Sequence, residues 1–245
     1  MPDESDADFL RRLWKRRGVG WHIRAAEPPM PGRAACPRHC LVLFNDGMQL
    51  PRNAAGAVPY RRDHAPGTQD AILRWEATRR LRAGSLSRHT WDHVQDAPLR
   101  SQVKMSAAQG ELGDRFALLL EDYLVEAPHV ADDGEDLAQL ASARMQRQAL
   151  EAKEFRADST VRALRVGEWI SVEGHPELDQ HPAHEREFIV TRLATYAENN
   201  LPASLEQRLP RAVPDQAGSS EELSSLRRRC RQQGLRYLNH FTCVR

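Results

Sequence analysis

The stretch that decides the fold runs from Arg165 to Pro202 and reads RVGEWISVEGHPELDQHPAHEREFIVTRLATYAENNLP. From residue 169 to residue 173 its side chains alternate in character, which is the period of a half-buried β-strand. A second alternating run extends from residue 188 to residue 193. The segment Gly174-His175-Pro176 breaks the first run, and Asn-Asn-Leu-Pro stops the second, since proline cannot donate a backbone hydrogen bond. The stretch therefore predicts a β-hairpin with a long polar loop and no catalytic constellation.

The two predicted strands each have distinguishable faces. In the first strand, Ile170 and Val172 lie on the face opposite to that of Trp169. The faces of the second strand carry Phe188, Val190 and Arg192 on one side and Ile189, Thr191 and Leu193 on the other.

Outside the hairpin, the sequence predicts three helices and several short strands. The first helix begins at a Ser5 or Asp6 cap, has one apolar stripe and ends at Gly18. The clearest helix follows an acidic run and extends over residues 137–155. An exposed helix is predicted at 221–232, after a helical turn at 204–209 and a linker at 210–220. Strands are predicted at 19–23, 41–44, 58–60, 72–78, 84–93, 160–164 and 237–244. The segment 116–124 is ambiguous between helix and strand. The tryptophans are predicted to be core residues: Trp14, Trp21, Trp75, Trp91 and Trp169.

Composition excludes several classes of protein. The 245 residues carry 35 Lys and Arg against 34 Asp and Glu, a net charge of +1, which gives no electrostatic argument for binding nucleic acid or an anionic membrane. No apolar run approaches the ~20 residues that a bilayer span needs. The acidic N-terminus MPDESDADFL lacks the features of a signal peptide. We therefore expect synthesis in the cytoplasm, with any export by a machine that reads no such signal.

The hairpin loop contains the group of residues that most resembles a metal site. Imidazole and carboxylate groups suit zinc when three or four of them converge. The spacing is not that of a helical His-Glu-x-x-His motif, and two prolines interrupt the loop, so we predict a solvated loop and no metal. A metal-dependent hydrolase that uses this loop remains the enzymatic alternative. Its residues would be His175, His181, His184, Glu177, Asp179 and Glu185.

Three other motifs favour structural roles. Cys36 and Cys40 are one residue too far apart for a redox Cys-x-x-Cys motif, and two thiols are too few for structural zinc. The acidic run at 132–136 lacks the ligand pattern of a calcium loop and suits a helix N-terminus. The basic cluster at 227–231 has no interleaved aromatic residues, so a solvated face is expected. No catalytic or cofactor-binding residue is predicted.

Three short motifs of the hairpin resemble the hub region of VgrG, the spike protein family of type VI secretion. They are Gly-His-Pro-Glu-Leu-Asp at 174–179, Arg-Glu-Phe-Ile-Val-Thr at 186–191 and Asn-Asn-Leu-Pro at 199–202. Similar matches occur in SDADFLRRLWKRRGVGWHI near the N-terminus, in the strand at 41–44, in Trp91-Asp92-His93 and in the closing Phe-Thr-Cys-Val-Arg at 241–245. That hub is itself similar to the baseplate hub of contractile-tailed phages.

The resemblance implies an α+β fold, mainly antiparallel β, with a barrel-like module and inserted helices. It also implies a division into residues 1–66 as a helix-strand module with a loop, residues 67–202 as a β-barrel-like hub module with an inserted helix at about 137–155, and residues 203–245 as a linker, an exposed helix and a final strand.

By the same resemblance, the chain is a non-enzymatic part of a trimeric ring that joins the secretion tube to a puncturing needle. The expected partners are further copies of itself, the tube subunit and effectors or adaptors, without nucleic acid or cofactors. The protein would be made in the bacterial cytoplasm and exported by the type VI machinery. A non-fired adaptor fragment that binds an effector or a tube subunit is a further alternative.

The sequence also departs from this family. A first barrel before residue 1, and an oligonucleotide-binding-like domain and needle after Arg245, are absent from the 245 residues, so we expect an excerpt or a truncated gene product. Val166 stands where relatives often have proline, and Ala194-Thr195 replaces a position often held by histidine. Barrel strands without partners would leave unpaired edges. We therefore expect this piece to trimerise poorly alone.

Overall fold

The computed structural model of this chain describes residues 4–25, 39–62, 69–93, 95–198 and 221–245. The chain forms two compact units, each made of two segments. Unit 1 comprises Met1–Leu50 and Ala77–Glu154, and unit 2 comprises Pro51–Glu76 and Phe155–Arg245. The sequential division at residues 66 and 202 stays a prediction.

The helices are α1 (Asp6–Arg17), α2 (Glu111–Ala117), α3 (Gly134–Ala152) and α4 (Glu221–Gln232). The strands are β1 (Gly20–Ala25), β2 (His39–Phe44), β3 (Arg52–Pro59), β4 (Ile72–Arg79), β5 (Ser85–Asp92), β6 (Ala97–Lys104), β7 (Glu121–Val125), β8 (Lys153–Ser159), β9 (Trp169–Glu173), β10 (Glu187–Ala197) and β11 (Tyr237–Val244). Short 3-10 helices occupy Gly47–Gln49, Leu178–Gln180 and Ala183–Arg186.

Unit 2 is organised around a six-stranded sheet in the order β3-β9-β10-β11-β8-β4. β9 and β10 form the predicted antiparallel hairpin, with Phe188 opposite Ile170. β11 is antiparallel to both of its neighbours, whereas β3 is parallel to β9. Tyr60 after β3 forms a bridge with Ile72 of β4, so the two edge strands meet at one point. The sheet thus curls into a barrel-like module, and the predicted α+β, mainly antiparallel class is confirmed.

The core of unit 2 follows from the alternation seen in the sequence. Ile170, Val172, Phe188 and Val190 are almost completely buried. The Trp75 ring lies among three phenylalanines, with its centroid 4.9 Å from that of Phe188. The other two phenylalanines are Phe155 and Phe241, whose centroids lie 5.4 Å and 6.3 Å from that of Trp75. The contacts with Phe188 and Phe241 are edge-to-face, and aromatic contacts of this kind add to the hydrophobic stabilisation of the core.

A bulge in β10 ends the predicted alternation. The pairing of β10 with β11 shifts by one residue between Val190 and Arg192. The sequence predicts Arg192 on the same face as Phe188 and Val190, yet Arg192 is exposed and pairs with Glu222. An extra residue in one strand reverses the facing of the residues that follow it. The charged side chain is thereby kept out of the core.

Helix α4 covers the second face of the sheet. Leu226 and Cys230 lie four residues apart on one side of α4 and are fully buried with Leu238 of β11. Since side chains at positions i and i+4 share a helix face, this spacing gives α4 an apolar stripe. The prediction of an exposed helix at 221–232 is therefore wrong for this face. Because α4 packs on it, β11 is buried on both sides.

Buried polar groups in β11 and its surroundings are hydrogen-bonded to one another. Asn239 is fully buried, accepts a hydrogen bond from Ser159 Oγ at 2.7 Å and donates one to the carbonyl of Val161 at 2.8 Å. An unpartnered amide in this position would cost on the order of 1–3 kcal/mol. The network therefore fixes β11 against β8 and the turn after it.

In unit 1, helix α3 packs against a three-stranded sheet in the order β6-β5-β7. β5 and β6 are antiparallel, and β5 and β7 are parallel. Leu86 of β5 is buried against Ala141 and Met145 of α3. A separate two-stranded sheet is formed by β1 and β2.

An arginine network lies between this sheet and α3. The Arg88 side chain is only 6% exposed, and its guanidinium lies 3.0 Å from the Asp122 carboxylate. The hydrogen bond from Arg88 is the main reason that the pKa of Asp122 is lowered. On α3, Gln148 donates to the same carboxylate and Arg144 pairs with Glu126. The Asp122 carboxylate of β7 and the Glu126 carboxylate that follows the strand are thereby paired with arginines within unit 1.

The predicted first helix is confirmed at both ends. Ser5 Oγ accepts a hydrogen bond from the Asp8 backbone N–H, and Gly18 ends the helix with a φ of 72°. That left-handed conformation is one that glycine adopts without the steric cost of a Cβ. Among the residues that the structure describes, no helix has both the length and the apolar character to cross a bilayer.

Several predicted boundaries are corrected. The helix predicted over 137–155 ends at Ala152, and Phe155 belongs to β8. Residues 160–164, predicted as extended, form a turn after β8 rather than a strand. Strand β6 and helix α2 were not predicted, and the ambiguous segment 116–124 contains the end of α2 and most of β7. The motif at 199–202, the helical turn at 204–209 and the linker at 210–220 lie outside the described residues.

The aromatic core leads to a stability prediction. Replacing Phe188 by Ala removes a buried ring from contact with Trp75, so we expect the free energy of unfolding to fall by about 3–5 kcal/mol. Urea unfolding followed by tryptophan fluorescence would measure the change. The matched control is Phe9→Ala on α1, where the ring is 45% exposed; its effect should stay within about 0.5 kcal/mol. Equal losses in the two variants would contradict the assignment of this core.

Candidate functional site

The histidine-rich loop is held together by contacts within itself. His175 Nδ1 accepts hydrogen bonds from the backbone N–H groups of Glu177 at 3.3 Å and Leu178 at 3.4 Å. The His175 ring also lies edge-on to Tyr60, with a centroid distance of 4.6 Å. This histidine therefore uses one ring nitrogen to organise the turn after β9.

The other polar groups of the loop form pairs rather than a cluster. His181 Nδ1 lies 3.1 Å from Glu185, whose carboxylate also pairs with Arg245 at 3.2 Å. Asp179 pairs with Arg186 at 3.2 Å. Within residues 4–25, 39–62, 69–93, 95–198 and 221–245, no three His, Cys, Asp or Glu side chains form a group that could hold a metal ion. The geometry thus gives no support to the hydrolase alternative, and the absence of a bound metal stays a prediction.

The cysteines also lie apart. Cys36 is outside the described residues, Cys40 is half-buried in β2, and Cys230 and Cys243 are buried in two different parts of the core. Burial raises the pKa of the Cys230 thiol, with a further contribution from Glu198. A raised pKa makes the reactive thiolate scarcer.

The charged motifs act as structural contacts. Asp133 caps α3 by accepting a hydrogen bond from the Asp136 backbone N–H, as the acidic run predicts. In the basic cluster, Arg229 pairs with the buried Asp158 and Arg231 pairs with Glu198 at 2.9 Å. The cluster is therefore tied to the sheet of unit 2 at two points, not simply a solvated face.

Asp158 lies at the centre of a buried ion network. Its carboxylate accepts from Arg229 and lies 2.7 Å from His240 Nδ1. Burial alone would raise its pKa, but the hydrogen bond with His240 and the positive charge of Arg229 together hold the pKa below its usual value. The network joins β8, β11 and α4.

An exposed apolar surface of unit 1 is formed by the two-stranded sheet. Trp21 lies opposite Leu43 and Ile23 lies opposite Leu41, so these four side chains share one side of the sheet. They are 38%, 49%, 57% and 49% exposed, respectively. We call these four residues the hairpin face. The alternate residue His22 is buried, so the other side of the sheet packs inward.

Helix α1 extends the hairpin face. The rings of Trp14 and Trp21 lie 6.1 Å apart, and the Arg11 guanidinium lies 5.5 Å from the centre of the Trp21 ring. Phe9 and Leu10 of α1 are exposed as well. The helix therefore packs against Trp21, which nevertheless stays 38% exposed.

A second apolar surface of unit 1 follows α2 and includes β7. The strand itself exposes Tyr123, Leu124 and Val125, and the preceding turn exposes Leu118 and Leu119 at 83% and 81%. We call residues 118–125 the β7 segment. Its polar side chains point to neighbours in the same unit, since Ser87 donates to Glu121 and Arg88 and Gln148 bind Asp122.

A glycine fixes the turn that carries these leucines. The Gly84 backbone N–H donates to the carbonyls of Ala117 at 2.9 Å and Leu120 at 3.2 Å. A Cβ at Gly84 would lie 2.5 Å from the Ala117 carbonyl oxygen, a distance that no side chain tolerates. The close approach of β5 therefore holds the turn in place and directs Leu118 and Leu119 outward.

These two surfaces can bind protein, because large exposed apolar areas on a folded unit mark interaction sites. Sequence reasoning missed both of them. Trp21 and Trp91 were predicted to be core residues but are substantially exposed, whereas Trp75 packs against the core as predicted. The alternation of Trp21 with Ile23 and of Leu41 with Leu43 was the available signal, since it places four apolar residues on one side of a hairpin.

Comparison with known proteins gives one match to a family. The sequence model of the family described as phage tail baseplate hub (GPD) matches residues 2–201. No curated protein matches the chain.

The chain is also similar to several solved structures at low sequence identity. One of them is the E. coli c3393 protein, which is described as a component of the type VI secretion system with structural similarity to the T4 bacteriophage tail proteins gp27 and gp5. It is 14% identical with a TM-score of 0.46, and the match covers 99% of this chain and 37% of that one. A 43 kDa tail protein of prophage MuSo2 from Shewanella oneidensis is 12% identical with a TM-score of 0.49, covering 100% and 55%. A tail protein from Neisseria meningitidis MC58 is 11% identical with a TM-score of 0.46, covering 84% and 48%. The chain spans between 37% and 55% of the length of these structures.

The loop geometry leads to a metal-binding prediction. Because Asp179 and Glu185 pair with arginines and His175 Nδ1 accepts from its own backbone, we expect no stoichiometric zinc on the purified chain. Equilibrium dialysis followed by elemental analysis would measure it. One zinc per chain that is lost on His181→Ala substitution would contradict this expectation.

The Asp158 network leads to a pH prediction. The folded-state pKa of Asp158 is lowered, so its stabilising contribution is fully present above the unfolded-state pKa of about 3.9 and is lost as the pH falls through the folded-state pKa. The groups facing it are Arg229, His240 and, farther away, Arg74. We expect Asp158→Asn to reduce the free energy of unfolding at neutral pH and the difference from the unchanged chain to shrink below about pH 4.

Urea unfolding at a series of pH values would measure this difference. The control is Leu150→Ala on the exposed side of α3, which removes no ionisable group and should give a difference independent of pH. A difference for Asp158→Asn that grows on acidification would show that the carboxylate is not stabilised by this network.

Proposed function

Because this chain belongs to the phage tail baseplate hub (GPD) family, we propose that it is a structural hub component of a type VI secretion spike, without catalytic activity. The family match over residues 2–201 carries the proposal. The choice of a secretion spike rather than a phage tail rests on the three motifs of the hairpin at 174–179, 186–191 and 199–202. In this role the chain joins the secretion tube to the puncturing needle.

A mechanical role is supported by the way each unit is built. In unit 2 the curled sheet holds an aromatic core, and its buried polar groups Asn239 and Asp158 are paired across neighbouring elements. Paired buried groups favour a single arrangement of the strands, because each alternative arrangement leaves a polar group unsatisfied. Rigidity of this kind suits a part that transmits force.

Self-assembly is supported by unit 1. The hairpin face and the β7 segment expose apolar side chains that a second protein surface would bury. The partners in this proposal are further copies of the chain in a homotrimeric ring, the tube subunit, and effectors or adaptors. The protein is made in the bacterial cytoplasm and leaves the cell through the type VI machinery, and its regions 1–66, 67–202 and 203–245 correspond to parts of the hub.

Deletion of the gene in the bacterium that encodes it tests the proposal. We expect the tube subunit to disappear from the culture medium and to return on complementation. A hairpin-face variant, Ile23→Asp/Leu43→Asp, should fail to restore secretion, because two carboxylates on the apolar face oppose its burial. The matched control is Leu150→Asp, a residue with the same 49% exposure as Leu43 on another surface of unit 1, which should restore it.

The location of the chain separates the hub from a non-fired adaptor. A hub is recovered in the medium together with the tube subunit, whereas an adaptor remains in the cells. Secretion of the tube subunit that is unaffected by the deletion would overturn the proposed function.

A further inference from the structure

Helix α4 is attached to the sheet of unit 2 by few apolar contacts. Of its 12 residues, Leu226 and Cys230 alone are buried, whereas α3 of unit 1 buries five of its side chains. A helix of about 12 residues is at best marginally stable in water without tertiary contacts. If α4 leaves the sheet, it therefore unfolds at the same time.

Ion pairs supply the other attachments of α4, and they differ in strength. Exposed ion pairs contribute little to stability, because water and salt screen them. Arg229 makes the stronger contact, since its partner is the Asp158 carboxylate, which is only 8% exposed. The two exposed pairs are Arg192–Glu222 and Arg231–Glu198, in which the arginines are 67% and 57% exposed, respectively.

The sheet keeps its own polar contacts when α4 is away. The Asp158 carboxylate retains His240 of β11, whose Nδ1 lies 2.7 Å from it, so opening does not leave this charge without a partner. Asn239 is hydrogen-bonded to Ser159 and Val161, and neither residue lies on α4. The aromatic core belongs to a different apolar cluster from the α4 contact. The strands can therefore stay paired without this helix.

We propose that α4 is a detachable cover, which opens from the sheet while the rest of unit 2 stays folded, and that the contact between Arg229 and Asp158 sets how rarely it opens. Local openings of this kind require less free energy than global unfolding. The inference concerns unit 2 alone and does not depend on the proposed function. Opening uncovers an apolar face of the sheet, which consists of Leu73, Ala194, Tyr196 and Leu238.

Two cysteines of the full chain report on the two kinds of opening. Cys230 lies on α4 and Cys243 lies in the aromatic core, and both are fully buried. A buried thiol is inert, so N-ethylmaleimide modifies it only after an opening. Mass spectrometry of the digested chain would give the rate at each cysteine, relative to the same cysteine in the unfolded chain. We expect Cys230 to be modified at least about a hundred times faster than Cys243.

The dependence on urea gives a second readout. Urea accelerates an opening in proportion to the surface that the opening exposes. Because the release of one helix exposes much less surface than global unfolding, urea should accelerate the modification of Cys230 much less than that of Cys243.

A substitution in the core separates α4 from the sheet. Phe188→Ala weakens the aromatic core, which does not include α4, so it should speed the modification of Cys243 and leave that of Cys230 unchanged. Circular dichroism checks that the variant folds. Val190→Ala, in the same core, is a milder variant with the same expected result.

A substitution on α4 tests the ion pair. Arg229→Gln removes the charge that binds Asp158, so it should speed the modification of Cys230 at least about tenfold. The matched control is Arg228→Gln, which removes the same charge from an exposed position of α4 and should change the rate by less than about twofold.

The inference is overturned if the two cysteines are modified at the same relative rate with the same dependence on urea, since α4 would then open only when the whole unit unfolds. It is also overturned if a core variant speeds the modification of both cysteines equally. The assigned role of Arg229 is overturned if its substitution has no more effect than that of Arg228. The secretion experiment does not involve α4, so each of these results leaves the proposed function to its own test.

Discussion

The pairing of β11 between β10 and β8 is the interaction on which unit 2 depends. Without this strand the sheet order would be interrupted between its β3-β9-β10 part and its β8-β4 part. The strand also contributes to both apolar clusters of unit 2, because Phe241 and Cys243 enter the aromatic core while Leu238 packs under α4. A strand in this position has no tolerance for a shift in register, since a shift by one residue would exchange the residues of its two faces.

Polar groups give that register its specificity. Apolar packing alone tolerates several arrangements of similar volume, whereas a buried amide or carboxylate tolerates only those in which its partners are present. Asn239 is hydrogen-bonded to Ser159 of β8 and to the carbonyl of Val161 in the following turn. Asp158 contacts His240, the residue after Asn239 in β11, and Arg229 of α4. In unit 1, Arg88 has the corresponding role between β5, β7 and α3.

Local periodicity and end signals made much of this fold predictable. The alternation around Ile170 and Phe188, the cap at Ser5 and the acidic start of α3 all depend on nearby residues, and each was predicted. The failures have non-local causes. Phe155 continues a helical pattern but is drawn into β8 by the aromatic core, and α4 looks exposed until its contact with Leu238 is known. The exposed surfaces of unit 1 were hidden for a similar reason, since an alternating apolar strand is consistent with burial in its own core or in that of another copy.

The parallel pairing of β3 with β9 has a consequence for synthesis. β3 ends at Pro59, but its partner begins at Trp169, so the ribosome makes all of unit 1 that follows β3 before the pairing can form. Contacts so distant along the chain form slowly, because loop closure must precede them. During translation β3 and β4 therefore stay unpaired in the nascent chain, with their apolar residues exposed. We expect the polypeptide to depend most on chaperones during this stage of synthesis.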